Sequence, residues 1–111
     1  MCSVIPGMKT YRIERDNVTW TVSANVKEGE CSQRIAPCYD IVKHADAFGW
    51  GKDDCAALQL ALALLVDCVG VDTAIGTYAQ FSKEVIAKIP RLQLYFELTD
   101  THIYDWIKLH S

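Results

Sequence analysis

The sequence predicts an α+β domain: a small antiparallel sheet, built from an N-terminal hairpin and a later strand, packed against two central helices and a short C-terminal helix. Three observations predict it. Residues 9–24 alternate apolar and polar side chains about Asp16-Asn17, the pattern of two half-buried strands joined by a turn. Residues 55–69 are apolar nearly all round, as in a helix buried on most sides. Residues 92–98 return to alternation after an amphipathic helix. A chain of 111 residues is one domain and buries enough surface to fold without metal or disulfide. Residues 1–8 read as a loose leader and 9–111 as the single globular domain.

In the first strand Tyr11 and Ile13 share one face and Arg12 and Glu14 the other. In the second, Val18, Trp20 and Val22 oppose Thr19, Thr21 and Ser23. A two-residue turn at Asp16-Asn17, both tolerant of positive φ, would pair Ile13 with Trp20 and Tyr11 with Val22. Both pairs fall on the apolar face, so the register is self-consistent. Residues 25–46 are the least legible. Lys27-Glu28-Gly29-Glu30 reads as a turn, Ser32 to Pro37 as a short strand, and Tyr39 to His44 as one helical turn. Asp53 or Asp54 then caps a helix to Val69, whose polar side chains past the cap, Gln59 and Asp67, share one stripe; Gly70 suits its C-terminal end. Asp72 is expected to cap a second helix to about Ile89, stopped by Pro90. Its inner stripe is Ile75, Tyr78, Phe81, Val85 and Ile89. A third strand, Leu92 to Leu98, points Leu92, Leu94, Phe96 and Leu98 inward. Thr99 or Asp100 opens a last helix burying Ile103, Trp106 and Ile107.

A net charge of −3 argues against general nucleic-acid binding, which needs an excess of Lys and Arg for phosphate contacts. Residues 1–52 hold seven Lys/Arg against six Asp/Glu, and residues 53–111 hold four against eight, so the acidity lies in the helical half. The five cysteines are an odd set without a Cys-x-x-Cys pair, and the opening MCSVIPGMK lacks a signal peptide's basic-then-apolar pattern. The longest apolar run, Cys55 to Val66, is shorter than a membrane span. A cytoplasmic protein with reduced thiols is expected.

Four groups of residues bear on chemistry. The loop Gly49-Trp50-Gly51-Lys52 enters a helix, where glycines can present N–H groups to an anion. Its spacing fits neither dinucleotide nor phosphate-loop fingerprints, and Asp53 and Asp54 stand where a phosphate would. Cys31, Cys38, His44 and Cys55 lack the short knuckle spacing of structural zinc sites, so no metal is expected. His44, His102 and His110 sit near carboxylates without a nucleophile or metal motif. Among the aromatics, Tyr39, Phe48, Tyr78, Tyr95 and Trp106 read as core; Trp50, flanked by glycines, is expected to be partly exposed and the best interaction anchor.

The runs GWGKDDCAALQLALALLVDCVG, TAIGTYAQFSKEVIAKIP and FELTDTHIYDWI resemble the uncharacterised domain-of-unknown-function family numbered 6166. The resemblance spans Tyr11 to Ile107 and is most specific at Phe48, Trp50-Gly51, Leu60 to Leu65, Tyr78, Phe81 and Trp106-Ile107. It implies a hairpin followed by this helical block, in bacteria, phages or other mobile elements, and brings no activity. Where the family's loop after Trp-Gly is glycine-rich with a Ser, this chain has Lys52-Asp53-Asp54-Cys55, which weakens an anion reading. The leading expectation is a non-enzymatic protein-binding or regulatory protein without cofactor, such as a phage or mobile-element inhibitor of a host defence complex, whose acidic half imitates nucleic-acid charge. The alternative is a small-ligand or nucleotide module using the Phe48–Lys52 loop. The residues nominated for binding are Trp50, Lys52, Phe48, His44, Tyr39, Asp53 and Asp54. An enzyme ranks last, and a homodimer through an unpaired hairpin edge is compatible with all three.

Overall fold

The computed structural model describes residues 9–36, 38–45, 47–51, 54–90 and 92–110; the leader expected at 1–8 lies outside them. Four strands, β1 (Lys9–Arg15), β2 (Val22–Glu28), β3 (Cys31–Arg34) and β4 (Tyr95–Thr99), form one antiparallel sheet in the order β3-β2-β1-β4. Three α-helices accompany it among the described residues: α1 (Cys55–Val69), α2 (Val71–Phe81) and α3 (Asp100–His110). This is the α+β domain the patterning predicts. Tyr11 and Ile13 of β1, Ala24 and Val26 of β2 and Phe96 of β4 are buried against the helices. The residues between them, such as Arg12, Glu14, Asn25, Lys27 and Glu97, leave the other face polar and open.

The hairpin register differs from the expected one by four residues: Ile13 pairs with Ala24 and Tyr11 with Val26. A shift by an even number keeps every side chain on its face, so the inward phase survives although the partners change. The cause is Asp16. Its carboxylate accepts the N–H groups of Val18 (2.7 Å) and Thr19 (3.0 Å), which holds it below the usual carboxylate range and opens a wider loop. The loop closes with Asp16 N–H donating to Thr21 C=O at 2.9 Å, and Trp20 takes a positive φ of 65°. Val18 and Trp20 are therefore exposed loop residues and not strand core. The turn expected at 27–30 is the two-residue connection Gly29-Glu30, and β3 spans Cys31–Arg34 where a strand from Ser32 is expected. The single turn expected at 39–44 is present, with Ile41 and Val42 N–H donating to Cys38 C=O.

β1 lies between β2 and β4, and β2 is paired with β3 from Asn25 to Glu28, so the outer strands of the sheet are β3 and β4 rather than the hairpin whose free edge was expected for dimerisation. The β4 edge is blunted, because the Gln93 side chain donates to Tyr95 C=O and Thr99 N–H donates to His102 Nδ1 at 3.4 Å.

Helix α1 is capped by Asp54, whose carboxylate accepts Ala57 N–H at 3.0 Å. Its Ala/Leu run is buried from Gln59 through Leu65. Gly70, at φ 90°, ends α1 by donating to Val66 C=O and opens α2 by accepting Ala74 N–H. The second helix thus starts before Asp72, which lies in its first turn rather than at the cap. Ala74 takes the inward position and Ile75 is half exposed, a correction to the expected stripe. The helix continues as a π turn over Ser82–Ile86, closed by Ala87 N–H to Ser82 C=O at 2.8 Å. β4 begins at Tyr95, leaving Leu92 and Leu94 exposed. Thr99 caps α3 by accepting His102 N–H at 3.2 Å; Ile103 is buried, and Trp106 stands edge-on to Phe81.

Candidate functional site

The Phe48–Gly51 loop is a brace, not an open lip. Gly49 N–H donates to Ala56 C=O at the start of α1, and a Cβ at Gly49 would meet that of Ala56 at 3.0 Å. Gly51, at φ 80°, donates to Ile86 C=O at the end of the π turn, and Trp50 Nε1 donates to Pro90 C=O at 3.2 Å. Trp50 is 3% exposed and stands edge-on to Phe96, with ring centroids 5.0 Å apart. The partly exposed anchor expected at Trp50 is therefore a core residue. The reason is long-range: two carbonyls 35 and 40 residues away receive the donors of this loop.

The accessible tryptophan here is Trp20. The Arg15 guanidinium lies 4.1 Å from the centroid of the Trp50 ring and 4.8 Å from that of Trp20, a cation held between two indoles. Arg15 occupies the third inward position of β1 after Tyr11 and Ile13, and is itself buried. Arg15 is not among the residues nominated from the sequence, although its position on the apolar phase of the strand is the signal: a cation there needs partners inside. A cleft of about 190 Å³ runs beside this stack, lined by Arg15, Trp20, Phe48, Trp50 and Asp54.

The nominated residues separate into distinct places. Phe48, Trp50 and Asp54 meet in that cleft. Tyr39 joins Phe48 in a second one, where the Lys43 ammonium stands 5.2 Å from the Tyr39 ring centroid. His44 turns away from both, its Nε2 2.7 Å from the Tyr78 hydroxyl, while its N–H donates to Gln59 Oε1 at 2.7 Å. Lys52 and Asp53 lie outside the described residues. Among the described residues no three His, Cys, Asp or Glu side chains are grouped to hold a metal.

At the far end, the Tyr11 hydroxyl donates to Asp67 at 2.8 Å, Lys9 pairs with the same carboxylate, and Tyr104 donates to Cys68 C=O. Burial, then the neighbouring Cys68 and Asp67 groups, push the Tyr11 hydroxyl well above its ordinary range; burial likewise raises the Cys68 thiol. The folded state thus keeps a proton that the unfolded chain releases near pH 10. The Tyr11 contribution to stability is expected to fall as pH rises past that point, by up to about 1.4 kcal/mol per pH unit for this one proton. Urea unfolding should show Tyr11→Phe less stable at neutral pH but with a flatter alkaline profile. A slope identical to wild type would remove Tyr11 as the titrating group.

Four carboxylates of the helical half have structural partners or are buried, while Asp72 and Asp105 are exposed. Asp54 caps α1, Asp67 holds Tyr11, Asp100 is buried, and Glu97 pairs with Arg12, which also pairs with Glu14. No helix among the described residues is long and apolar enough to cross a membrane.

These features define a two-layer α+β domain with an open polar sheet face and, at one end, two shallow aromatic clefts beside an exposed tryptophan. The chain belongs to the family described as "Family of unknown function (DUF6166)", whose family model matches residues 9–109. No curated protein and no solved structure matches it.

Proposed function

We propose that this domain is a non-enzymatic protein-binding module whose contact surface is centred on Trp20. One observation carries the reading. At the hairpin-tip end of the sheet four large apolar side chains lie in solvent: Val18 (87% exposed), Trp20 (49%), Leu92 (80%) and Leu94 (45%). The backbone bond from Arg15 N–H to Leu94 C=O (2.8 Å) and the Arg15–Trp20 stack tie the hairpin loop and the start of β4 into one end of the molecule. An exposed apolar group around a positioned Trp is the composition of an interface hot spot. Trp50 is buried and does not centre this surface. Charge mimicry is not the reading carried forward, since the exposed group around Trp20 is apolar.

The finer reading, an inhibitor of a host defence complex encoded by a mobile element, rests on the setting the family resemblance suggests. Affinity capture from a bacterial lysate, compared between wild type and a Trp20→Ala/Leu92→Ser variant with unchanged circular dichroism, tests the surface. A specific partner should bind the variant about thirtyfold more weakly. That partner's binding should change little between low and high salt, because the contact is apolar. Identical capture by wild type and variant would sink the proposal.

A further inference from the structure

We propose that the cleft beyond the end of β3 binds a small planar aromatic acid, its ring against Tyr39 and Phe48 and its carboxylate on Arg34. This is independent of the Trp20 surface.

The cleft exists because the β2–β3 ladder stops early. Its last rung among the described residues is Ile35 N–H to Ala24 C=O at 2.9 Å. Continuing the register (Asn25 with Arg34) would set position 37 opposite Val22, and position 37 is a proline, which has no N–H to donate. β2 therefore runs on past β3, and a cleft of about 210 Å³ opens beside it. Val22, Ala24, Ile35 and Ala47 give it apolar lining, and Phe48 and Tyr39 give it two aromatic rings. A ring of complementary shape is favoured there through apolar burial and offset or edge-on aromatic contact.

The polar end specifies charge. Arg34 borders the cleft, is exposed, and forms no ion pair among the described residues. Lys43 stands over Tyr39 on the same side of the fold, and no carboxylate is among the described lining residues. Glu14 and Asp16 line the neighbouring groove that Arg34 also borders, without pairing to it. A planar guanidinium with free donors beside an apolar slot matches a carboxylate attached to a ring. The volume is below the ~300 Å³ where pockets for drug-sized ligands begin, which limits the occupant to one ring system with a short acidic arm. That chemistry is shared by free aryl acids and by the last residue of a polypeptide ending in an aromatic side chain.

The test uses the whole chain and the probe 3-phenylpropionate, followed by backbone amide NMR shifts. Saturable shifts are expected at Val22, Ala24, Ile35 and Ala47, with the corresponding primary amide binding about tenfold more weakly. Arg34→Gln should bring the acid down to the level of the amide, and Arg34→Lys should restore part of the preference. A tetrapeptide ending in Phe with a free carboxylate distinguishes the sources. Tighter binding than the free acid assigns the cleft to a partner's chain terminus, and weaker binding assigns it to a small molecule. The proposal is overturned if wild type shows no saturable shift with either probe, or if Arg34→Gln still prefers acid over amide.

Discussion

Replacing Trp50 by alanine is expected to remove about 3–5 kcal/mol of folding stability, the usual cost of deleting a large buried ring. The indole meets Phe96 edge-on, covers the Arg15 guanidinium and donates to Pro90 C=O, so alanine leaves a void, an uncovered cation and an unmatched acceptor together. Domains of this size have roughly 5–15 kcal/mol to lose. Urea unfolding followed by circular dichroism should show the midpoint falling by about 2 M, given a slope of roughly 1–3 kcal/mol per molar for small proteins. Trp50→Phe keeps a ring on both neighbours and should cost about 1 kcal/mol beyond its smaller volume, for the lost hydrogen bond. Loss of any binding activity in Trp50→Ala would then report unfolding, whereas Trp20→Ala reports the surface. A Trp50→Ala midpoint within error of wild type would mean that the loop does not brace the helices.

The contrast between the two tryptophans shows which parts of the molecule could be read from residues alone. Inward phase was legible in every strand it names correctly: Tyr11 and Ile13, Ala24, Phe96 and Leu98 all lie on the buried or half-buried side, because period-two alternation depends only on local sequence. Strand limits and partners were not. The Asp16 carboxylate captures two loop amides and moves the hairpin register by four, a side-chain-to-backbone choice that alternation does not encode. Helix α1 and a cap at Asp53 or Asp54 were legible because capping and burial there act within a few residues, and the structure assigns the cap to Asp54. The inward face of α2 was only partly so. Gly70 joins two helices directly, and the π turn adds a residue that resets the phase, bringing Ile86 inward.

For the candidate site, the residue types were found and their roles exchanged. Flanking glycines suggested an exposed Trp50, yet each glycine serves a close approach or a positive φ that packs the loop inward. Trp20, placed in a strand core by alternation, is the exposed one. Tyr39 and Phe48 were nominated as binding residues, and the structure sets both along one cleft. Arg34, which completes that cleft, carries no local signal, since it depends on where the β3 ladder ends.

Gln59 is the clearest case of a polar residue explained only by a long-range partner, and it makes the second large prediction. It is fully buried in the middle of the apolar helix α1. Its Oε1 accepts His44 N–H at 2.7 Å and Ala45 N–H at 3.4 Å, while its Nε2 donates to Val42 C=O at 3.1 Å. One side chain thus satisfies three backbone groups of a segment that has no sheet or helix of its own at that point. Gln59→Leu keeps volume and apolarity but strands those groups, at about 1–3 kcal/mol for each one that stays buried. A net loss of about 2–4 kcal/mol is expected, because part of the segment can turn to water. Hydrogen exchange should locate the damage: the amides of His44 and Ala45 should lose protection well before those of α1. Gln59→Glu sharpens the point. The carboxylate cannot donate to Val42, and its charge would be buried, so its proton is held more tightly in the folded state than in the unfolded one. Stability of that variant should accordingly fall as pH rises above about 4.3, the opposite of a carboxylate held by a salt bridge. A Gln59→Leu protein as stable as wild type, with His44 and Ala45 still protected, would show that the 42–45 segment is held by its other contacts, His44 on Tyr78 foremost.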